Sequence, residues 1–277
     1  MIRQMRAADI PAAMRLCAAA GWNQTVHDWK NLLALEPEGC WVSEQDGDVA
    51  ATTTAVCYGG DLAWIGMVLV LPEYRRRGLA RELMEHALRW LEARHVRQVK
   101  LDATDLGRPL YESLGFHTER VIERWGARWD TSRPSEDTLP EVVLPAGDIT
   151  ASDREAFGVD RARLIKRLLE TFPGQGIWRE GEGFLLGRPG TNAYFLGPLT
   201  AAGPEPAARL ARNMLAQAGP GMFYWDLFPD VPAAVDLARE LGFEPERRLA
   251  RMALRKAETP PAGRPERVYG AAGFEYG

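Results

Sequence analysis

The chain has 277 residues, of which 46% are apolar and 26% charged, and a net charge of −4. That length can bury two ordinary cores, the charge offers no basic footprint for nucleic acid and slightly favours a cationic substrate, and no apolar run approaches the ~20 residues needed to cross a bilayer. Cys17, Cys40 and Cys57 lack metal-ligand spacing and read as small apolar residues of a reducing, cytoplasmic setting, with no metal expected.

Charges stand among the first ten residues where an export signal needs an apolar stretch, so none is expected. Residues 8–20 carry Ile10, Ala13, Met14, Leu16 and Cys17 at helical spacing. Residues 41–43 and 49–57 flank the turn Gln45-Asp46-Gly47-Asp48 and predict a hairpin. Residues 62–71 form an almost continuous apolar run, which suits a central strand buried on both faces. A helix over 79–93, a strand over 98–102 and a short helix over 108–114 follow. Pro, Ser, Asp and Glu gather between 130 and 150, which predicts domains over 1–130 and 148–277 joined by a linker at 131–147.

The second half repeats the order. A helix is expected over 161–171, strands over 176–179, 184–187 and 192–199, a helix over 206–218, a strand over 222–227 and a helix over 232–241. Leu114-Gly115-Phe116 and Leu241-Gly242-Phe243 close corresponding units, and Asp102 and Asp226 stand at similar strand ends. A strand over 247–254 and an aromatic tail over 269–277 have no counterpart before the linker.

The chemistry centres on Pro72-Glu73-Tyr74-Arg75-Arg76-Arg77-Gly78-Leu79-Ala80, which joins the buried strand to an amphipathic helix. A turn at a helix start aims unpaired N–H groups and the positive end of the helix dipole at one spot, and both favour a pyrophosphate. Gly78 lets the backbone approach closely, Ala80 keeps the second approach small, and the three arginines add charge.

Arg75-x-x-Gly78-x-Ala80 after a buried strand, followed by Leu101-Asp102-Ala103-Thr104 and Leu110-Tyr111-Glu112-Ser113-Leu114-Gly115-Phe116, resembles the acetyl-CoA signature of the GNAT N-acetyltransferase superfamily. The resemblance covers about residues 1–130, and the second half resembles the degenerate C-terminal domain of a tandem subgroup. It implies an α/β (α+β) fold of two GNAT-like domains, each a mixed, splayed central sheet flanked by helices. It also implies acetyl-CoA as cosubstrate, bound by the backbone of Met67, Val68, Leu69 and Val70 and by the loop Arg75, Arg76, Arg77, Gly78, Leu79, Ala80 and Arg81. Thr104 stands where many relatives carry a cofactor-contacting asparagine. Tyr111 matches the family's tyrosine beside the thioester sulfur, where a phenol of pKa ~10 can protonate the departing thiolate.

Asp102 is a candidate base for the amine acceptor, or a cap of the following loop. Trp22, His27 and Trp29 lie in the segment where relatives shape the acceptor pocket, although each also reads as packing or surface. Tyr224 and Asp226, in an exposed-looking strand, are candidates for acceptor contacts from the second half. There Gly203-Pro204-Glu205-Pro206 replaces the phosphate loop with residues that remove donors and repel anions, and Ala238 replaces the tyrosine. These features predict an N-acetyltransferase acting on a primary amine, with a non-catalytic acyl-CoA sensor as the alternative. They predict no nucleic-acid or membrane partner and leave a homodimer open. Deleting residues 145–277 is expected to weaken acceptor use while sparing cofactor binding.

Overall fold

The computed structural model describes residues 1–130, 146–255 and 263–277. The first half runs β1 (Ile2–Gln4), α1 (Ile10–Ala20), α2 (Val26–Leu35), β2 (Cys40–Gln45), β3 (Asp48–Tyr58), β4 (Leu62–Val70), α3 (Leu79–Ala93), β5 (Gln98–Ala103), α4 (Arg108–Ser113) and β6 (His117–Trp129). The second runs α5 (Ala146–Phe157), α6 (Ala162–Thr171), β7 (Gly176–Arg179), β8 (Gly183–Arg188), β9 (Tyr194–Ala201), α7 (Pro204–Ala218), β10 (Gly221–Leu227), α8 (Pro232–Glu240), β11 (Glu244–Arg255) and β12 (Val268–Gly270). Of the linker expected over 131–147, residues 131–145 lie outside the described residues, and Ala146 and Gly147 open α5.

The strands form a single sheet in the order β1-β2-β3-β4-β5-β11-β6-β10-β9-β8-β7, with β12 on β9. Helices α1, α2, α5 and α6 share an apolar cluster with the sheet that contains Leu16, Trp29, Trp64 and Leu164. Helix α3 packs with Tyr111 of α4 in a second cluster, and α7 packs with α8 in a third. Local chemistry explains the helix ends. Gly21 takes φ +67 to stop α1, and Thr25 caps α2, its own N–H reaching Asp28 at 2.7 Å.

The central strands are exchanged between the halves. β11 lies between β5 and β6, antiparallel to both, and β6 lies between β11 and β10, antiparallel to both. The strand expected over 247–254 without a counterpart therefore has one, which is β6. Each exchanged strand carries an arginine into the other half. Arg251 of β11 donates from Nε and Nη2 to the two oxygens of Asp102, both at 2.9 Å. Arg124 of β6 does the same to Asp226, both at 2.8 Å. The carboxylate side chains in both forks are fully buried.

This exchange changes what a deletion does. Residues 1–130 alone would leave β5 and β6 with no strand between them, so we expect that fragment to lack a cooperative unfolding transition by circular dichroism, whereas co-expression with residues 146–277 should restore one. Arg251→Met, which strands the Asp102 charge, should lower stability by about 3–5 kcal/mol in urea denaturation, and pairing it with Asp102→Leu should recover most of the loss.

Candidate active site

β4 and β5 are parallel neighbours only at Leu62, Ala63 and Trp64 against Gln98, Val99 and Lys100. Beyond that point no described strand pairs with the β5-facing edge of β4, and a gap opens between them. The parting coincides with a bulge. Thr52 of β3 faces Leu69 and Thr54 faces Gly66, so Met67 and Val68 together oppose Thr53. Met67 takes φ +52, and its carbonyl accepts from Thr52 Oγ1 at 2.8 Å. The extra residue flips the alternation of β4, placing Trp64, Met67 and Leu69 in the same cluster.

At the end of β4 the chain turns into α3. Arg76 and Gly78 adopt φ +61 and +86, a left-handed pair within three residues that curls the backbone into a concavity. A side chain at Gly78 would find open space, meeting only Glu82 Oε1 at 3.9 Å, so the backbone angle is what calls for glycine. The first hydrogen bond of α3 runs from the Glu82 N–H to the Gly78 carbonyl at 3.0 Å. The N–H groups of Leu79, Ala80 and Arg81 are therefore unpartnered among the described residues. Arg75 donates to the Val70 carbonyl at 3.3 Å, and Arg77 donates to the Glu73 carbonyl at 3.0 Å while lying over Tyr74. These two brace the loop and leave Arg76 exposed. A parted strand edge ending at such a loop fits an extended acyl-CoA arm with its pyrophosphate on the helix N-terminus.

Tyr111 is buried on α4 against Phe116 and Gly107. Its helix is tied to the loop because Arg81 donates to Ser113 Oγ at 2.7 Å. Burial pushes the Tyr111 phenol well above the usual tyrosine range, so it stays protonated at neutral and mildly alkaline pH. Thr104 caps the turn into α4, its carbonyl accepting from the N–H groups of Gly107 and Arg108 at 3.0 and 2.9 Å. Asp102, considered as a base, has both oxygens in the Arg251 fork. Burial pushes its carboxyl up, and the pull of Arg251 only partly offsets that.

The remaining candidates divide. Trp29 is fully buried under α1 and forms core instead of a pocket wall. His27 is exposed, edge-on to Phe172. Trp22 is half-buried, and its carbonyl accepts from Asn192 Nδ2 at 3.2 Å, while Asn23 Oδ1 accepts from the N–H groups of Asn192 and Ala193. The segment before α2 is thus fastened to the second half. The strand holding Tyr224 and Asp226 is not exposed. It is β10, interior between β6 and β9, with Asp226 fully buried and Tyr224 half-buried beside Arg124.

Sequence reasoning missed Arg251 and Arg124. A signal was present, since they stand at the same offset from each other as Phe116 and Phe243. It also missed Arg188 and Glu275, a buried pair 2.8 Å apart with no local motif.

In the second half α7 begins at Pro204 after Gly203, with Glu205 in its first turn, so the donors that line the first half's loop are lost.

The chain matches the Acetyltransferase (GNAT) family over residues 11–116 and the Acetyltransferase (GNAT) domain over residues 149–270. It is 28% identical over 244 residues to the uncharacterized N-acetyltransferase YitH of Bacillus subtilis (strain 168), covering 84% of each chain. It is 25% identical over 272 residues to the holothin acyltransferase of Pseudoalteromonas sp. (strain SANK 73390), covering 94% of this chain and 88% of that one. Its fold superposes on a crystallised protein of Pyrococcus horikoshii with a TM-score of 0.82 at 21% identity, over 100% of this chain and 95% of the other. It superposes on a tandem GNAT protein from the clavulanic acid biosynthesis pathway with a TM-score of 0.66 at 15% identity, over 94% and 99%. With both halves matched and the loop, strand gap and tyrosine in place in the first, the chain belongs to the GNAT acetyltransferase family, as an enzyme with two such domains in tandem.

Proposed function

We propose that the first half transfers the acetyl group of acetyl-CoA directly to a primary amine, and that the second half lacks this activity. The observation that carries this reading is the unpaired edge of β4, joined by a single 3-10 turn at Pro72–Tyr74 to the left-handed loop at Arg76 and Gly78. The N–H groups of Leu79, Ala80 and Arg81 and the free side chain of Arg76 would hold the pyrophosphate. The β4 backbone from Met67 to Val70 would align the arm, and its N–H groups would stabilise charge on the thioester carbonyl oxygen. Acetyl-CoA, when bound, supplies an activated acyl group. The protein's part is to place it, exclude water and move one proton.

Tyr111 is the donor of that proton to the departing sulfur. Its raised pKa keeps the hydroxyl protonated, and the Arg81–Ser113 bond holds α4 in register with the loop. The fork on Asp102 argues against that residue as the base and assigns it to joining the halves. An acyl-cysteine route is disfavoured, because burial pushes the Cys57 thiol up to about 12 and leaves little thiolate. The three cysteines are free, which fits action in the reducing cytoplasm; no helix among the described residues is long and apolar enough to cross a membrane.

Free-thiol release from acetyl-CoA against a panel of amines tests the reading. Acceptor-dependent release supports it, whereas CoA binding without release across the panel favours a sensor. Tyr111→Phe should lower kcat about 10²–10⁴-fold while CoA affinity stays within about twofold by calorimetry. Because the phenol's pKa is raised, wild-type kcat should show no alkaline fall attributable to loss of this proton below pH ~10. Gly78→Val forces a β-branched residue into a left-handed angle, costing about 1–3 kcal/mol, and should weaken CoA binding at least tenfold with little change in kcat at saturation.

A further inference from the structure

β9 and β10 part just as β4 and β5 do. Their parallel pairing holds only at Tyr194, Phe195 and Leu196 against Phe223, Tyr224 and Trp225, and the β8 register shifts beside Gly197 and Pro198 as the β3 register shifts beside Met67. In the second half, however, the gap is filled by the chain itself. Val268 and Gly270 of β12 pair with Thr200 and Leu199 of β9, and the Ala271 N–H donates to the Asp226 carbonyl of β10 at 2.8 Å. The fit is tight, since a Cβ on Gly270 would lie 2.5 Å from Trp225 Nε1 and one on Gly197 would overlap the Ala271 carbonyl oxygen.

From that gap the chain crosses to the first half. Trp64 Nε1 donates to the Phe274 carbonyl at 2.8 Å, Tyr58 Oη to the Tyr276 carbonyl at 2.7 Å and Arg161 Nη1 to the Gly277 carbonyl at 2.6 Å. The backbone of Glu275 lies on Gly66, where a Cβ would stand 3.0 Å from the Glu275 Cα. Gly66 directly precedes the bulge at which β4 leaves β5. The Glu275 carboxylate, 2% exposed, accepts from Arg188 Nη2 at 2.8 Å and Gln24 Nε2 at 2.9 Å. The same guanidinium donates to the carbonyls of Gly197 at 3.2 Å and Ala272 at 2.9 Å, so it grips both the kink of β9 and the tail.

We propose that residues 271–277 are a strap that forms the acceptor-side wall of the first half's site, held in place because β12 occupies the second half's own gap. Glu275 is its positioning residue. The strap covers the face of β4 opposite α3 at the mouth of the open gap and keeps bulk water from the thioester. This inference rests on the acetyl-transfer reading above.

The test uses acetyl-CoA as its sole substrate, on the full chain. Gly270→Val should expel β12 from a gap far along the sheet from the phosphate loop, and Glu275→Gln should loosen the strap with almost no change of shape. Thiol release without any amine should rise about tenfold in the first and severalfold in the second, with CoA affinity within about twofold of wild type by calorimetry. Should Gly270→Val misfold, Glu275→Gln decides alone. Unchanged or slower hydrolysis sinks the proposal, and so does a rise that follows weakened CoA binding, since the strap would then be scaffold only. Failure of the wild type to acetylate any amine while the variants still gain hydrolysis would overturn the transfer reading and leave the strap standing.

Discussion

Between β5 and β6 there is room for one strand, and the second half fills it with β11, while β6 fills the equivalent place beside β10. Neither half therefore owns a complete sheet, and the central ladder of β11 and β6 belongs to both. Two buried arginine–aspartate forks lock this exchange. Such pairs cost much to desolvate, and their value lies in geometry. A one-residue slip of β11 or β6 would leave two buried charges unpaired, so each fork pins the register of the strand that carries its arginine.

The site depends on that frame. Because β5 is held on its far side by β11, it can leave β4 after Lys100 without becoming a loose edge, and the gap stays open where the bulge at Met67 turns the backbone. The gap beside β4, the proposed phosphate loop and the α4 tyrosine then lie on neighbouring elements, and the Arg81–Ser113 bond ties α3 to α4. The second half keeps the same parted strands but fills them with β12. One architecture is therefore used once as an open slot and once as an anchor, and the difference comes from proline and glutamate at the start of α7 and from the tail that lies in the gap.

Much of this was legible in the chain. The helix over Leu79–Ala93 follows from its apolar spacing, and the buried strand ending at Val70 from its unbroken apolar run. The turn into α3 shows because the glycine that a left-handed angle needs stands directly before the helix. The repeat of Leu-Gly-Phe announced two related halves. What remained hidden was α2, where Trp29 reads both as a pocket wall and as packing and the fold makes it core, and the aromatic strand of the second half, which looked exposed because Tyr224 and Asp226 alternate with Phe223 and Trp225. Alternation marks a half-buried strand only when the polar face meets water, and here Asp226 meets Arg124.

The sequence by itself determined the local elements, the family to which they belong and the half that carries the glycine turn before its helix, because these depend on residues close together in the chain. The tertiary structure decided the exchange of β6 and β11, the fate of Asp102 and the placement of Glu275 against Gly66. Those outcomes rest on pairing between residues 87 to 251 positions apart, such as Arg188 with Glu275 and Gln24 with Glu275. No periodicity encodes which distant partner will satisfy a buried charge; only the assembled sheet, with one place left for each strand and a carboxylate in reach of each buried guanidinium, makes that choice.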